Sequence, residues 1–370
     1  MHVRIVDPSA FTPPYDHALC TALGRAGEEV TLVTSEFPYG EVPLPGADEY
    51  RIELGFYRRT TGPAGSRART LSKLTQHVPD MRRLGRAATD ADVVHFQWLP
   101  VPQVDGCLLP RGRPVVLTAH DVLPREPRWG QLRAQARLYG RMDAVVAHSH
   151  HGRDRLVDAL GLDPDRVRVI PHGAFRHLTT VRPAPLPPAL AEADRPVVLF
   201  FGLLRPYKGV DVLLDAWSRP GGPGEDADLW IVGLPKMDVR PLRARAGRGV
   251  TFVDRFVTDA EAAAYFRRAD VVVLPYREIE QSGVLFTALA FGRPIVASAV
   301  GGFPEIAADG AAVTVPPGDA DALADALGRV LGDEALRSSL ATRATELAAG
   351  PYSWESVAAE HRRLYASLVG

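Results

Sequence analysis

Lysine is scarce in this chain of 370 residues. Of 43 basic residues only Lys73, Lys208 and Lys236 are lysines, and the rest are arginine. Cysteine is scarcer still, with only Cys20 and Cys107. Two cysteines are too few for a disulfide framework or a thiolate zinc cluster, and they suit a reducing compartment. No apolar run approaches the ~18 residues of a membrane-spanning helix. The N-terminus, MHVRIVDPSA, opens straight into a strand-like segment where a signal peptide would have its apolar stretch. A cytoplasmic protein is expected. Charge bias is also missing: 43 basic residues face 44 acidic ones, net −1, so nothing points to a nucleic-acid partner. Neither GxGxxG nor a GK[ST] motif occurs, which disfavours dinucleotide hydride transfer and P-loop chemistry. Repeats of solenoid period and low-complexity tracts are absent too.

What is present begins at Val197–Trp217, VVLFFGLLRPYKGVDVLLDAW. Val197 to Phe201 is an unbroken apolar run of strand length, the mark of a strand buried on both faces of a parallel sheet. From Val210 the apolar residues fall on one helical stripe, Val210, Leu213, Leu214 and Trp217. The turn between them holds Gly202, Arg205, Pro206, Lys208 and Gly209. Ligands of open parallel sheets sit beyond the carboxyl ends of strands. Two cations three residues apart, beside a helix N-terminus, suit a diphosphate, one as a planar fork and one as a point charge. The plainer alternative is a solvated loop.

The rest of the chain alternates strand and helix. In the first half, strands are expected at 2–6, 29–34, 91–96, 114–118, 143–147 and 166–170, with a helix over 15–26. Strands then fall at 197–201, 228–232, 250–253, 271–274, 294–298 and 312–315. Thr258 and Glu261 read as a capping box, helical pattern runs from Asp319 to Ala349, and a last helix covers 354–368. Arg182–Pro196 has five prolines in fifteen residues and reads as an interdomain connector. At this length two domains are the natural division, with the ligand in the cleft between them. Their expected extents are 1–182 plus 352–370, on the acceptor side, and 194–351, on the nucleotide-sugar side.

A second anion-binding edge follows the strand at 271–274, where a polar loop, Glu278 to Ser282, leads to Gly283 and a new helix. Together, Gly202-x-x-Arg205-x-x-Lys208-Gly209 and Ala288-Leu-Ala-Phe-Gly292-Arg-Pro-Ile-Val with Gly301-Gly302 resemble the retaining, GT-B-fold glycosyltransferases of family 4. IPHG at 170–173 and His120 after a strand add to the resemblance, which covers nearly the whole chain.

That resemblance implies an α/β protein with two Rossmann-like doubly wound sheets and a C-terminal helix returning to the first domain. It implies a metal-independent, retaining transfer from a nucleotide-sugar, UDP- or GDP-linked, to a small-molecule, glycan or lipid-linked acceptor, with no separate cofactor. By the same resemblance Arg205 and Lys208 neutralise the leaving diphosphate and His120 faces the transferred sugar. Gly202, Glu280, Gln281, Ser282, Gly283 and Val284 cradle the donor, and Phe256 and Val257 lie where the base is held. The family's glycine-rich first loop is replaced by FTPPYDH (11–17), and Thr287 stands in place of its second glutamate. The alternatives are a non-catalytic nucleotide- or glycan-binding GT-B scaffold, or a GT-B epimerase or phosphorylase.

Three signals are weaker. Asp90-Ala-Asp92 and Asp319-Ala-Asp321 have the DxD form of metal-dependent transferases, but a strand start and a helix cap explain them. His95 and His172 read as structural. Residues 51–86 carry nine basic residues against Glu53 and Asp80. The segment is either a solvated face or a basic surface for a phosphorylated acceptor or the inner face of a membrane.

Overall fold

Short strands, most of them runs of Val, Ile, Leu and Ala buried on both faces, form two all-parallel sheets in a computed structural model that describes residues 1–37, 47–63, 66–123 and 129–370. The first has seven strands: β1 (His2–Asp7), β2 (Glu29–Thr34), β3 (Arg51–Leu54), β4 (Val93–Phe96), β5 (Val115–Thr118), β6 (Ala144–Ala147) and β7 (Val167–Val169). Their order is β3-β2-β1-β4-β5-β6-β7. The second has six: β8 (Val197–Phe201), β9 (Asp228–Val232), β10 (Val250–Val253), β11 (Val271–Leu274), β12 (Ile295–Ser298) and β13 (Ala312–Val315). Their order, β10-β9-β8-β11-β12-β13, repeats the same winding. In each sheet the strand order reverses once, at β1/β4 and at β8/β11, and the loops that leave those strands are where ligands collect.

The chain divides into two compact units, Met1–Gly173 with Trp354–Gly370, and Ala174–Ser353. The proline-rich stretch 182–196, expected as a connector, therefore belongs to the second unit. Backbone bonds and arginines tie it down: Ala184 N donates to Ala260 O at 2.9 Å, and Arg268 donates to the carbonyls of Ala193 and Arg195. One helical turn, Pro188–Ala191, lies inside it and buries Leu190.

Eight helices bear on the argument. They are α1 (Pro13–Arg25), α2 (Arg67–Ala87), α3 (Val210–Trp217), α4 (Asp259–Arg268), α5 (Gly283–Ala290), α6 (Ala320–Gly332), α7 (Glu334–Ala349) and α8 (Trp354–Val369). The capping box opens α4 as expected. The long pattern after Asp319 is two helices, because Asp333 ends α6 and its carboxylate then caps α7 at Leu336 N. Two elements went unread in the basic stretch 51–86, described here except for 64 and 65: the exposed edge strand β3 and the 21-residue α2. α8 packs on the first unit, where Tyr365 Oη lies 2.6 Å from His95 Nδ1.

The second switch point depends on a close approach of two loops. Gly209 has φ +66°, and a Cβ there would sit 1.9 Å from the Pro275 carbonyl oxygen. Gly209→Ala should therefore lower the unfolding free energy by more than about 1 kcal/mol, from left-handed backbone strain and the displaced β11 loop together. Urea denaturation checks it, and an unchanged midpoint would mean that the loops are free to separate.

Candidate functional site

In the second unit the β8 loop and the β11 loop form one constellation. Lys208 is 7% exposed, and its Nζ donates to Tyr276 Oη at 2.7 Å. Tyr276 Oη in turn lies 3.5 Å from Ser282 Oγ, the residue that precedes α5. Burial pushes the Tyr276 phenol pKa up, so it stays neutral beside the ammonium. Gly202 leaves β8 at φ +108°, and a Cβ there would meet Val284 Cγ2 at 3.2 Å and Lys208 Nζ at 3.7 Å. Gly202, Lys208, Ser282 and Val284 thus converge on one point. Glu280 and Ser282 are buried, and Gly302 N donates to Glu280 O at 3.1 Å.

Arg277 braces the turn from the β11 side. Its amide donates to Tyr207 O, and its guanidinium donates to Pro206 O while pairing with Asp211 at 2.6 Å. Arg205 is half-buried, and its Nε is buried with no hydrogen-bond partner among the described residues. Two eight-residue helices, α3 and α5, begin at this turn and this loop. The electrostatic result is two cations and two positive helix ends at one carboxyl edge, an arrangement suited to a multiply charged anion.

The first unit handles its switch point differently. The Asp7 carboxylate, at the end of β1, accepts from the amides of Ser9 (3.1 Å), Phe11 (2.6 Å) and Thr12 (3.2 Å). The loop that replaces the glycine-rich turn is thus organised around an internal anion. Burial raises the pKa of Asp7, and it also raises that of Asp16, to which Asp7 is hydrogen-bonded. Beyond the next strands lies a histidine cluster. His120 stacks on Trp98 at 5.2 Å, and Tyr15 packs edge-on to both His120 and His172.

Comparison with known proteins places this pair of sheets. Residues 15–174 match the family model described as Glycosyltransferase Family 4, and residues 195–333 match that described as Glycosyl transferases group 1. The phosphatidyl-myo-inositol mannosyltransferase of Mycolicibacterium smegmatis is 30% identical over 388 residues, covering 100% of this chain and 95% of that protein. The chain belongs to glycosyltransferase family 4. A second relative, the D-inositol 3-phosphate glycosyltransferase of Frankia alni, is 30% identical over 94% of this chain and 92% of its own length. Among solved structures, Anabaena Alr3699/HepE in complex with UDP-glucose superposes with a TM-score of 0.76 at 20% identity, covering 100% of both chains. The fold is GT-B, and the protein is a glycosyltransferase.

Against the family expectations, Gly202, Lys208, Ser282 and Val284 are brought together as described, with Glu280 and Gly283 on the same loop. Gln281 is half-buried, its Oε1 accepting from the next amide, Ser282 N, at 3.2 Å. Thr287 is buried, and its hydroxyl donates to Gly283 O one turn back at 2.9 Å. Its proton is committed within α5, so only its lone pairs face any ligand. Phe256, 51% exposed, and Val257 follow β10, two strands from β8. The DxD look-alikes have structural partners. Asp90 pairs with Arg4, Asp92 accepts from His2 N, and Asp319 caps α6.

Tyr276, Arg277, Gln97 and His148 were missed from sequence. Each sits just past the carboxyl end of a strand, and that position was the available signal.

Three buried histidines of the first unit have lowered pKa values because burial disfavours their charged form: His148 to about 4, His172 to about 3 and His361 to about 4. His120 lies well below its usual value through burial and then through neighbouring His148, His172, His95 and His361. Folded, His148, His172 and His361 are mostly unprotonated near pH 5, whereas in the unfolded chain they are charged there. Stability is therefore complete above about pH 6.5 and falls as pH drops from there towards 4, by about 1.4 kcal/mol per pH unit for each ring. Urea titrations between pH 7.5 and 4.5 should show this slope, and His172→Phe should make it shallower by one ring's share, about 1.4 kcal/mol per pH unit. A flat wild-type profile would mean that the rings are hydrated.

Proposed function

We propose that the protein is a retaining, metal-independent glycosyltransferase that moves a sugar from a nucleoside-diphosphate sugar to an acceptor hydroxyl. The observation that carries this reading is the turn after β8, with Lys208 buried against Tyr276 and Arg205, three residues before it, holding a buried Nε. As the glycosidic bond breaks, negative charge grows on the departing diphosphate. Preorganised cations and helix ends stabilise that charge more than they stabilise the bound donor, which is what lowers the barrier. His120 contacts the transferred sugar, and the acceptor hydroxyl attacks from the face the diphosphate leaves. The family resemblance supports this retaining course.

The donor is a UDP- or GDP-sugar, and no separate cofactor takes part. The UDP-glucose held by the Anabaena neighbour supports a nucleotide donor. So does Phe256, because strands two apart lie about 10 Å from each other, roughly the span from base to diphosphate. The structural partners of Asp90, Asp92 and Asp319 support independence from metal, since Lys208 and Arg205 supply the positive charge.

The names of the two relatives support an inositol-type polyol acceptor, free or lipid-linked. For the lipid-linked form, exposed Leu71 and Leu74 on α2, beside exposed Arg67, offer a surface for the cytoplasmic face of an anionic bilayer. No helix among the described residues is long and apolar enough to cross a membrane.

Released nucleotide, measured over a panel of UDP- and GDP-sugars with and without inositol-type acceptors, is the test. Arg205→Ala and Lys208→Ala should each cut turnover by about 10²-fold with the fold intact, the usual loss for one preorganised electrostatic group. EDTA should leave the rate unchanged. Near-full activity in either variant, or a divalent ion restoring activity after EDTA, would overturn the assignment of charge.

A further inference from the structure

Four residues that follow four neighbouring strands line up across the first sheet. Gln97 comes directly after β4, His120 two residues after β5, His148 directly after β6 and Ile170 directly after β7. Gln97 Oε1 lies 3.0 Å from His120 Nε2, His120 Nδ1 lies 3.2 Å from His148 Nε2, and His148 Nδ1 lies 3.0 Å from Ile170 O. His148 is 6% exposed, so the chain of bonds is shielded from water at its centre.

Counting protons decides its direction. Ile170 offers a carbonyl, which only accepts, so His148 Nδ1 carries a hydrogen. A neutral imidazole has only one, which makes His148 Nε2 an acceptor and puts the hydrogen between the rings on His120 Nδ1. His120 Nε2 is then a bare lone pair. The two ends of the Gln97 amide have the same shape, and with its nitrogen towards His120 it donates to that lone pair. Its oxygen then faces His95 Nε2, 3.4 Å away. With Tyr365 Oη donating to His95 Nδ1, the His95 hydrogen sits on Nε2 and is shared between this oxygen and Thr118 Oγ1 at 2.8 Å, so the line closes with both rings neutral, the state that burial favours.

We propose that His148 is a positioning residue that locks His120 in the Nδ1–H tautomer, so that His120 presents Nε2 to the transferred sugar as a hydrogen-bond acceptor. This rests on the reading of His120 as the sugar contact. A sugar hydroxyl donating to Nε2 replaces Gln97, which swings away or shares the site. The wrong tautomer would set two donors against each other and lose that bond.

The test uses the full-length protein labelled with nitrogen-15 histidine, in which long-range proton–nitrogen correlations report which ring nitrogen carries hydrogen. Wild-type His120 should be the Nδ1–H form; the Nε2–H form, or a charged pair, would overturn the proposal. His148→Phe keeps the ring and removes both nitrogens. It should let His120 populate both tautomers and lower kcat about tenfold, the scale of one neutral hydrogen bond, with the donor KM unchanged. His148→Gln returns an acceptor close to the Nε2 position and should restore the tautomer and most of kcat. Equal losses in the two variants, with the tautomer unmoved, would also overturn it. A moved tautomer with unchanged kcat would support the lock and overturn the placement of His120 against the sugar. If the Phe variant fails to fold, the wild-type spectrum and the Gln variant still decide.

Discussion

The buried ammonium of Lys208 on the phenol of Tyr276 is the constraint that the donor-side arrangement depends on. A cation at 7% exposure is costly to desolvate and is screened little, so it acts strongly on any anion brought within a few ångströms. Holding it there requires the β8 loop to press on the β11 loop, which is why Gly209 meets the Pro275 carbonyl and why Arg277 reaches back to Pro206 and Asp211. Packing, backbone conformation and charge thus enforce a single geometry, and the starts of α3 and α5 come with it.

The two sheets share one winding order, yet they treat the equivalent loop in opposite ways. In the first unit Asp7 fills its own amide cradle, with Ser9, Phe11 and Thr12 donating to it. In the second, cations and helix ends surround the turn. A shared topology supplies the place, while the side chains decide whether an external anion is wanted there. In the proposed reading the first unit's part in the chemistry falls at β5 and β6, where neutral imidazoles and aromatic rings suit sugar hydroxyls better than phosphate.

Much of this was legible in the sequence, for a physical reason. β8, β9 and β11 have the bounds that their apolar runs suggest, because a strand buried on both faces must be apolar nearly throughout, and the half-buried edge strands β10 and β13 were legible from their Val-rich runs. β3 was not legible. Its residues Arg51, Ile52, Glu53 and Leu54 are all exposed at a sheet edge, so no burial pattern marks them. The proline-rich stretch misled because its composition reports the absence of regular structure and says nothing of which unit it lies on. Lys208 and Arg205 were visible as a local motif. The relay from Gln97 to Ile170 was not, since its members are 23, 28 and 22 residues apart and only strand order brings them into line.

The central claim is that the turn after β8 recognises a diphosphate. Isothermal titration of the wild-type protein with a nucleoside, its monophosphate and its diphosphate tests this most directly, in the uridine and guanosine series. In the matching series affinity should rise stepwise with each phosphate, and the diphosphate step should disappear in Lys208→Met. Equal affinity for nucleoside and diphosphate, or a diphosphate step that survives Lys208→Met, would contradict the account.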